Sequence, residues 1–221
     1  MIHQRKKDFL FFLAQPVLGL AALPVRWGWR FWARSRPWRL PLGCGPKYAP
    51  SFINVDANPF HRVDLWLDLR NPLPFPDATL EGIYTLETLE HLYPDELDQL
   101  LLECRRVLQP GGFIRIGVPH LRRAAEAYLA GRGGWFADWP RSYRSPGGRL
   151  SNFLFCDGQH RNAFDLSLME EVLKKAGFAN IVESSRGQSQ WVEPAAMSLC
   201  EADADPGEPD RHLFVEARKP G

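Results

Sequence analysis

From residue 40 onward, short apolar runs alternate with segments whose apolar residues recur at helical spacing. That alternation predicts an α/β chain built on a mostly parallel sheet. Arg39-Leu40-Pro41-Leu42 reads as a first strand running into Gly43-Cys44-Gly45. Phe52-Ile53-Asn54-Val55-Asp56 reads as a second strand that ends on a carboxylate. Residues 63–69 and a Pro-rich stretch, NPLPFPDATL, follow. Leu80–Leu86 (LEGIYTL) is a further strand leading into Glu87-Thr88-Leu89-Glu90-His91-Leu92.

The spacing predicts a helix over 94–108. Pro94 takes its first position, with Asp95, Glu96 and Asp98 in the first turns. Leu97, Leu100, Leu101, Cys104, Val107 and Leu108 share one face, and Arg105 and Arg106 close the end. Pro110-Gly111-Gly112 turns the chain into a strand over Phe113–Pro119. Ser167 and Glu170 read as a capping box opening a helix that carries Leu168, Val172, Leu173 and Ala176 and stops at Gly177. Ile181-Val182 and residues 212–217 form the last two strands, with EADADPGEPD between them as a solvated loop.

Two segments break the alternation. Residues 121–163 hold little periodicity but carry Trp135, Phe136, Trp139, Tyr143, Phe153 and Phe155. The stretch is too long for an ordinary connection and too aromatic for a linker, so it reads as a lid or binding insertion. The other is the head, residues 1–39. It holds eight basic residues against one acid, a net +7, while the remainder of the chain carries −6. It also holds four of the eight Trp: Trp27, Trp29, Trp32 and Trp38. Residues 9–25 are uncharged, a run at the lower limit for a spanning helix, and Pro16 and Pro24 interrupt it. Three readings stay open: a helix lying in a membrane interface with Trp and Arg at headgroup level, a helix packed on the domain or a partner, and a true span or signal. Basic flanks on both sides argue against a clean span.

At 221 residues the chain is one domain with a short appendage, residues 40–221 and 1–39. The net charge of +1 excludes a global field of the kind that collects nucleic acid. Cys44, Cys104, Cys156 and Cys200 form no CxxC pair, so a zinc ribbon is not indicated and no metal is expected. Isolated cysteines fit a reducing compartment.

Chemistry enters at the strand ends. Gly43 and Gly45 let the backbone turn tightly and approach a ligand closely. An acid at the tip of a second strand, here Asp56, receives ribose hydroxyls in dinucleotide-type folds; the plainer reading is a solvated strand-end Asp.

Five motifs in order carry a family resemblance: Gly43-Cys44-Gly45; Asp56; Leu73-Pro74-Phe75-Pro76-Asp77; Leu89-Glu90-His91-Leu92; and Arg106-Val107-Leu108-Gln109-Pro110-Gly111-Gly112. Together they resemble class I S-adenosylmethionine-dependent methyltransferases, of the small bacterial type with a PFPD–EHL–RVLxPGG run. The resemblance covers residues 40–120 well and 160–217 more loosely. It implies a Rossmann-like three-layer αβα sandwich with a seven-stranded, mostly parallel sheet of order 3-2-1-4-5-7-6. It also implies S-adenosyl-L-methionine as cofactor. Carried over residue by residue, Gly43, Cys44 and Gly45 line the methionine part, Asp56 binds the ribose, Asp68 and Leu69 sit beside the adenine, and Glu87 and Thr88 face the sulfonium region. The sequence departs from the pattern at three points: Pro41 stands where an acid is usual, Lys47 where a third glycine is usual, and residues 46–52 are too few for a crossover helix.

A hydroxyl acceptor profits from a general base near neutral pKa, and the candidates are His91, His120 and His160. Arg161 suits an anionic acceptor, and Trp135, Trp139 and Tyr143 offer aromatic faces for a saccharide. The expected function is methyl transfer to a saccharide- or lipid-linked acceptor. The rivals are a catalytically degenerate methyltransferase fold acting as a membrane-recruited binding module, and an NAD-type Rossmann oxidoreductase, which needs a GxGxxG that Gly43–Tyr48 does not supply. A cytosolic cofactor places the protein in the cytoplasm, with residues 1–39 bound peripherally to anionic lipid.

Overall fold

The computed structural model describes residues 38–50, 52–58, 60–191 and 211–221, with Gly28, Met197 and Glu201 as isolated positions. The head reading concerns residues that, up to 37 and apart from Gly28, lie outside this set, as do residues 202–210 of the acidic stretch.

Seven strands form one sheet: β1 (Trp38–Leu42), β2 (Val55–Asp56), β3 (Leu65–Trp66), β4 (Leu80–Leu86), β5 (Leu108–Pro119), β6 (Ala179–Ser184) and β7 (His212–Arg218). Their order is β3-β2-β1-β4-β5-β7-β6, as expected. The first five pair in parallel, and β7 runs antiparallel to both β5 and β6. The sheet is therefore a Rossmann-like one whose strand order reverses at β1, which has β2 on one side and β4 on the other. In such sheets ligands bind beyond the carboxyl ends of the strands at that point.

Helices α1 (Pro94–Val107) and α4 (Leu166–Lys175) cover one face. Leu97, Leu100, Leu101, Cys104 and Val107 of α1, and Met169 and Leu173 of α4, join Leu40, Leu42, Ile83, Ile114, Ile116, Leu213 and Val215 in one buried core. Strand alternation sends Phe113, Arg115 and Phe214 to the opposite face. There the described residues form two small clusters, Ala49–Phe52–Tyr84 and Phe113–Met197–Trp191.

Local expectations hold in most places and shift in a few. Helix α1 ends at Val107, and β5 already begins at Leu108. Its pairing with β4 jumps from Leu80↔Leu108 to Gly82↔Phe113, so the Pro-Gly-Gly turn is a bulge inside the strand. Gly111 holds it at φ +76°, and its N–H donates to the Lys219 carbonyl at 3.0 Å. Arg106 ties the LPFPD and RVLxPGG motifs together in space: it donates to the Leu73 and Phe75 carbonyls, each at 2.9 Å, and to Asp77 at 2.7 Å.

The helix after the insertion is capped by Asp165, not by the Ser167–Glu170 box: Asp165 Oδ1 accepts from the Leu168 N–H at 2.9 Å and from Ser167 Oγ at 2.8 Å. An acid binds the exposed N–H groups of a first turn well, and Ser167 is recruited to orient it. Residues 121–163 are only partly irregular. They hold α2 (Leu121–Leu129) and α3 (Pro146–Phe155), packed around Ala124, Ala127, Trp135 and Phe136. Alanines in α2, too small to mark an apolar face, and Gly147-Gly148 in α3, poor helix formers, hid the periodicity.

Among the described residues no helix is long and apolar enough to cross a membrane.

Candidate functional site

The short connection from β1 to β2 is held by a side chain in place of a helix. Asn54 is fully buried; its Oδ1 accepts from the Ala49 N–H at 2.8 Å, and its Nδ2 donates to the Ala49 and Phe52 carbonyls and to Asp64 Oδ2. Asp64 also accepts from the Asn54 N–H and from Tyr48 Oη, each at 2.8 Å. These contacts outweigh the partial desolvation of the Asp64 carboxyl and hold it below the usual range. A fixed loop between strand ends results, and the missing crossover helix is accounted for.

Gly43 and Gly45 lie in that loop at φ +66° and +58°. A Cβ on Gly43 would come within 2.4 Å of Thr88 Oγ1, whereas one on Gly45 would meet open space. Asp56, at the tip of β2, accepts from the Gly45 N–H at 2.9 Å and the Asn58 N–H at 2.7 Å, with His61 Nδ1 at 3.3 Å. The acid therefore fixes the glycine loop as well as facing the cleft.

That cleft encloses about 350 Å³ at the carboxyl edge of β1, β2 and β4. Gly43, Gly45, Asp56, Asp68, Leu69, Glu87 and Thr88 all line it, so seven of the eight residues proposed for the cofactor converge. Cys44 is the exception: it faces a neighbouring cavity of about 180 Å³ beside Pro41, Pro46 and Asn54. Asp68 is buried and its carboxylate is gripped by Arg70, with contacts of 2.6–3.1 Å, so it acts on the cleft through the backbone turn it anchors.

Glu87 sits just past β4 in a left-handed conformation, φ +51°. Its Oε1 accepts from His212 Nε2 at 3.0 Å, and this hydrogen bond lowers its pKa below the usual glutamate range. Arg186 Nη2 lies 2.8 Å from His212 Nδ1. A guanidinium can only donate, so Nδ1 is the acceptor and the imidazole proton resides on Nε2, facing Glu87. Sequence reasoning missed His212 and Arg186. The antiparallel β7 delivers its first residue to the edge where β5 ends, with Pro119↔His212 in register, and only the topology reveals that.

Of the three histidines, His91 and His160 come together and His120 does not. The His91 and His160 ring centroids are 5.0 Å apart, edge to face. His91 lines the cleft, and so do Arg161 and Tyr93, the guanidinium lying 4.8 Å over the Tyr93 ring. Burial and the neighbouring His91 push His160 down to about 4, so it is neutral near pH 7. Burial, then Glu87, pushes Glu90 well above the carboxylate range. His120 lines a separate groove with Arg122, Asp165 and Glu183.

The aromatic residues proposed for an acceptor do not line the cleft. Trp135 is buried and packs against Phe136 and Phe153, so its face serves the core of the α2–α3 lobe. Trp139 and Tyr143 are exposed on that lobe, where their carbonyls accept from Asn152 and Arg149. The acidic loop is likewise not uniformly solvated: Glu201 is 4% exposed and pairs with the buried Arg115 at 2.8 Å.

Residues 42–116 match a family model described as a methyltransferase domain. Over 61 residues the chain is 34% identical to a probable S-adenosylmethionine-dependent methyltransferase of Mycolicibacterium smegmatis, a match that takes in 28% of this chain. The chain spans only 23% of that curated relative's length. Its fold is similar to the crystal structure of a SAM-dependent methyltransferase from Archaeoglobus fulgidus, with a TM-score of 0.53 and 15% identity over 95% of this chain and 99% of the other.

Proposed function

We propose that this chain, a class I S-adenosylmethionine-dependent methyltransferase by its fold and by residues 42–116, transfers a methyl group to an acceptor received at the Arg161–Tyr93 mouth of the cleft. One observation carries the reading: the glycine loop, the acid at the tip of β2 and the acid just past β4 meet in one cleft at the point where strand order reverses.

The cleft's own chemistry fits the cofactor. Open space beside Gly45 admits close approach of a ligand to the backbone. Asp56 faces the cleft with acceptor oxygens suited to ribose hydroxyls. Glu87, kept ionised by His212, supplies the anion that a cationic methionine end calls for, and stands in for the acid missing at Pro41. S-adenosylmethionine supplies an electrophilic methyl group on a sulfonium; the protein's part is position and electrostatics. Arg161 offers a fork for an anionic group on the acceptor, and the half-exposed Tyr93 ring an apolar face for a sugar. This supports a saccharide- or lipid-linked acceptor with an acidic or phosphate substituent. The charge and Trp content of residues 1–39 support a location at the cytoplasmic surface of an anionic membrane.

Calorimetric titration with S-adenosylmethionine and its demethylated product, followed by incubation of a cell extract with methyl-labelled cofactor, tests the reading. Stoichiometric binding and a labelled product are expected. Absence of heat and of any melting shift with both ligands would remove the cofactor assignment, and binding without a labelled product would favour a binding module.

A further inference from the structure

The turn Leu89–His91 and the segment 159–162 are 70 residues apart in sequence yet joined by a dense set of hydrogen bonds. The Glu90 carbonyl accepts from the Arg161 N–H at 2.6 Å and the Asn162 N–H at 3.2 Å, and Asn162 Nδ2 donates to the Leu92 carbonyl at 2.7 Å. His91 Nδ1 lies 3.2 Å from the Gln159 carbonyl, and His160 Nδ1 lies 3.1 Å from the Leu154 carbonyl. A carbonyl can only accept, so both rings carry their proton on Nδ1 and a lone pair on Nε2. This is the arrangement that orients imidazoles as metal ligands, each ring fixed through its other nitrogen by a backbone carbonyl.

Glu90 completes the set. Its side chain is 1% exposed, and neither carboxyl oxygen has a hydrogen-bond partner among the described residues. Oε1 points at His91 Nε2 from 4.0 Å. One donor atom from each of Glu90, His91 and His160 lies within 4.8 Å of the others. A buried carboxyl without a partner is costly, and proteins resolve that cost with an ion or a proton.

We propose that Glu90, His91 and His160 bind a divalent first-row transition ion, zinc by preference, on the cleft wall beside Glu87. Two imidazoles and one carboxylate suit zinc and leave a coordination position open. Bond lengths of about 2.0–2.2 Å require the donor atoms to close by roughly 1 Å, within reach of small ring and carboxyl rotations. Magnesium, which demands oxygen ligands, is not expected to bind. The site stands on its own residues and does not depend on the methyltransferase reading.

Metal-free protein of residues 1–221 titrated with Co²⁺ tests it. The expected result is one equivalent bound with visible ligand-field bands, displaced by Zn²⁺ and unaffected by Mg²⁺. Glu90→Gln and His160→Asn should each weaken Co²⁺ binding at least tenfold, while melting curves show an intact fold. If one variant does not fold, the other, or His91→Gln, decides. No saturable Co²⁺ signal in folded protein, or the same affinity in the folded variants, overturns the site. Loss of cofactor binding with Co²⁺ binding intact would instead count against the methyltransferase reading alone.

Discussion

Replacing Asp56 by alanine separates two jobs that one carboxylate performs. It accepts from the Gly45 and Asn58 N–H groups at 2.9 and 2.7 Å, and it lines the cleft proposed for the cofactor. A hydrogen bond to a charged group contributes about 1.5–3 kcal/mol. Both N–H groups are part-buried and can take up water after the change, so each loss belongs at the lower end. We expect Asp56→Ala to cost about 3 kcal/mol of folding stability, which for a chain of this size lowers Tm by roughly 6–12 °C. Loss of the ribose contacts adds about 1.5–3 kcal/mol against binding, or roughly a 10–200-fold rise in Kd. Asp56→Asn keeps one acceptor oxygen and should fall between wild type and Ala on both scales. The assay is paired calorimetry and thermal melting at one pH. A folded Ala variant that binds the demethylated cofactor product within twofold of wild type would refute the ribose role. A Tm unchanged within about 1 °C would refute the loop-pinning role.

Three further outcomes are expected. Glu87 has a depressed pKa in the folded chain, so its charge is complete above the ordinary glutamate value and is lost only as pH falls through the lowered one. Cofactor affinity should therefore hold from pH 7 down to the ordinary glutamate value and fall only below it, and Glu87→Gln should be weaker above that fall and lack it; a parallel pH profile in the variant would exclude Glu87 as the anion. Arg115, wholly buried, is held by Glu201, Glu216, Ser184 Oγ and the Ser185 carbonyl at 2.8–3.2 Å. Arg115→Met leaves two buried carboxylates unpaired and should cost about 3–5 kcal/mol, with much of it regained when Glu201→Leu and Glu216→Leu are added; equal Tm values for the single and triple variants would contradict this. Residues 1–39 fused to a soluble reporter should float with anionic vesicles at low salt and be released as salt rises, and failure to float at low salt would end the membrane reading.

The sequence by itself determined the sheet and its edge. Strand and helix periods over 80–119 and 166–177, together with five motifs in order, led to the strand order and to eight residues for the cofactor, seven of which line the cleft, because glycines and acids at strand ends are local in the chain. It could not determine what those residues touch. The Glu87–His212 pair spans 125 residues, Arg115–Glu201 spans 86, and the Asn54 network replaces a helix with one buried amide. The pairing of His91 with His160, and the removal of Trp135 from any acceptor surface, also came only from tertiary packing. The physical reason is the same in each case. Periodicity and turn chemistry act over a few residues, whereas charge pairing, desolvation and ring packing depend on which distant segments the antiparallel last strand and the segment before α4 bring to the same edge.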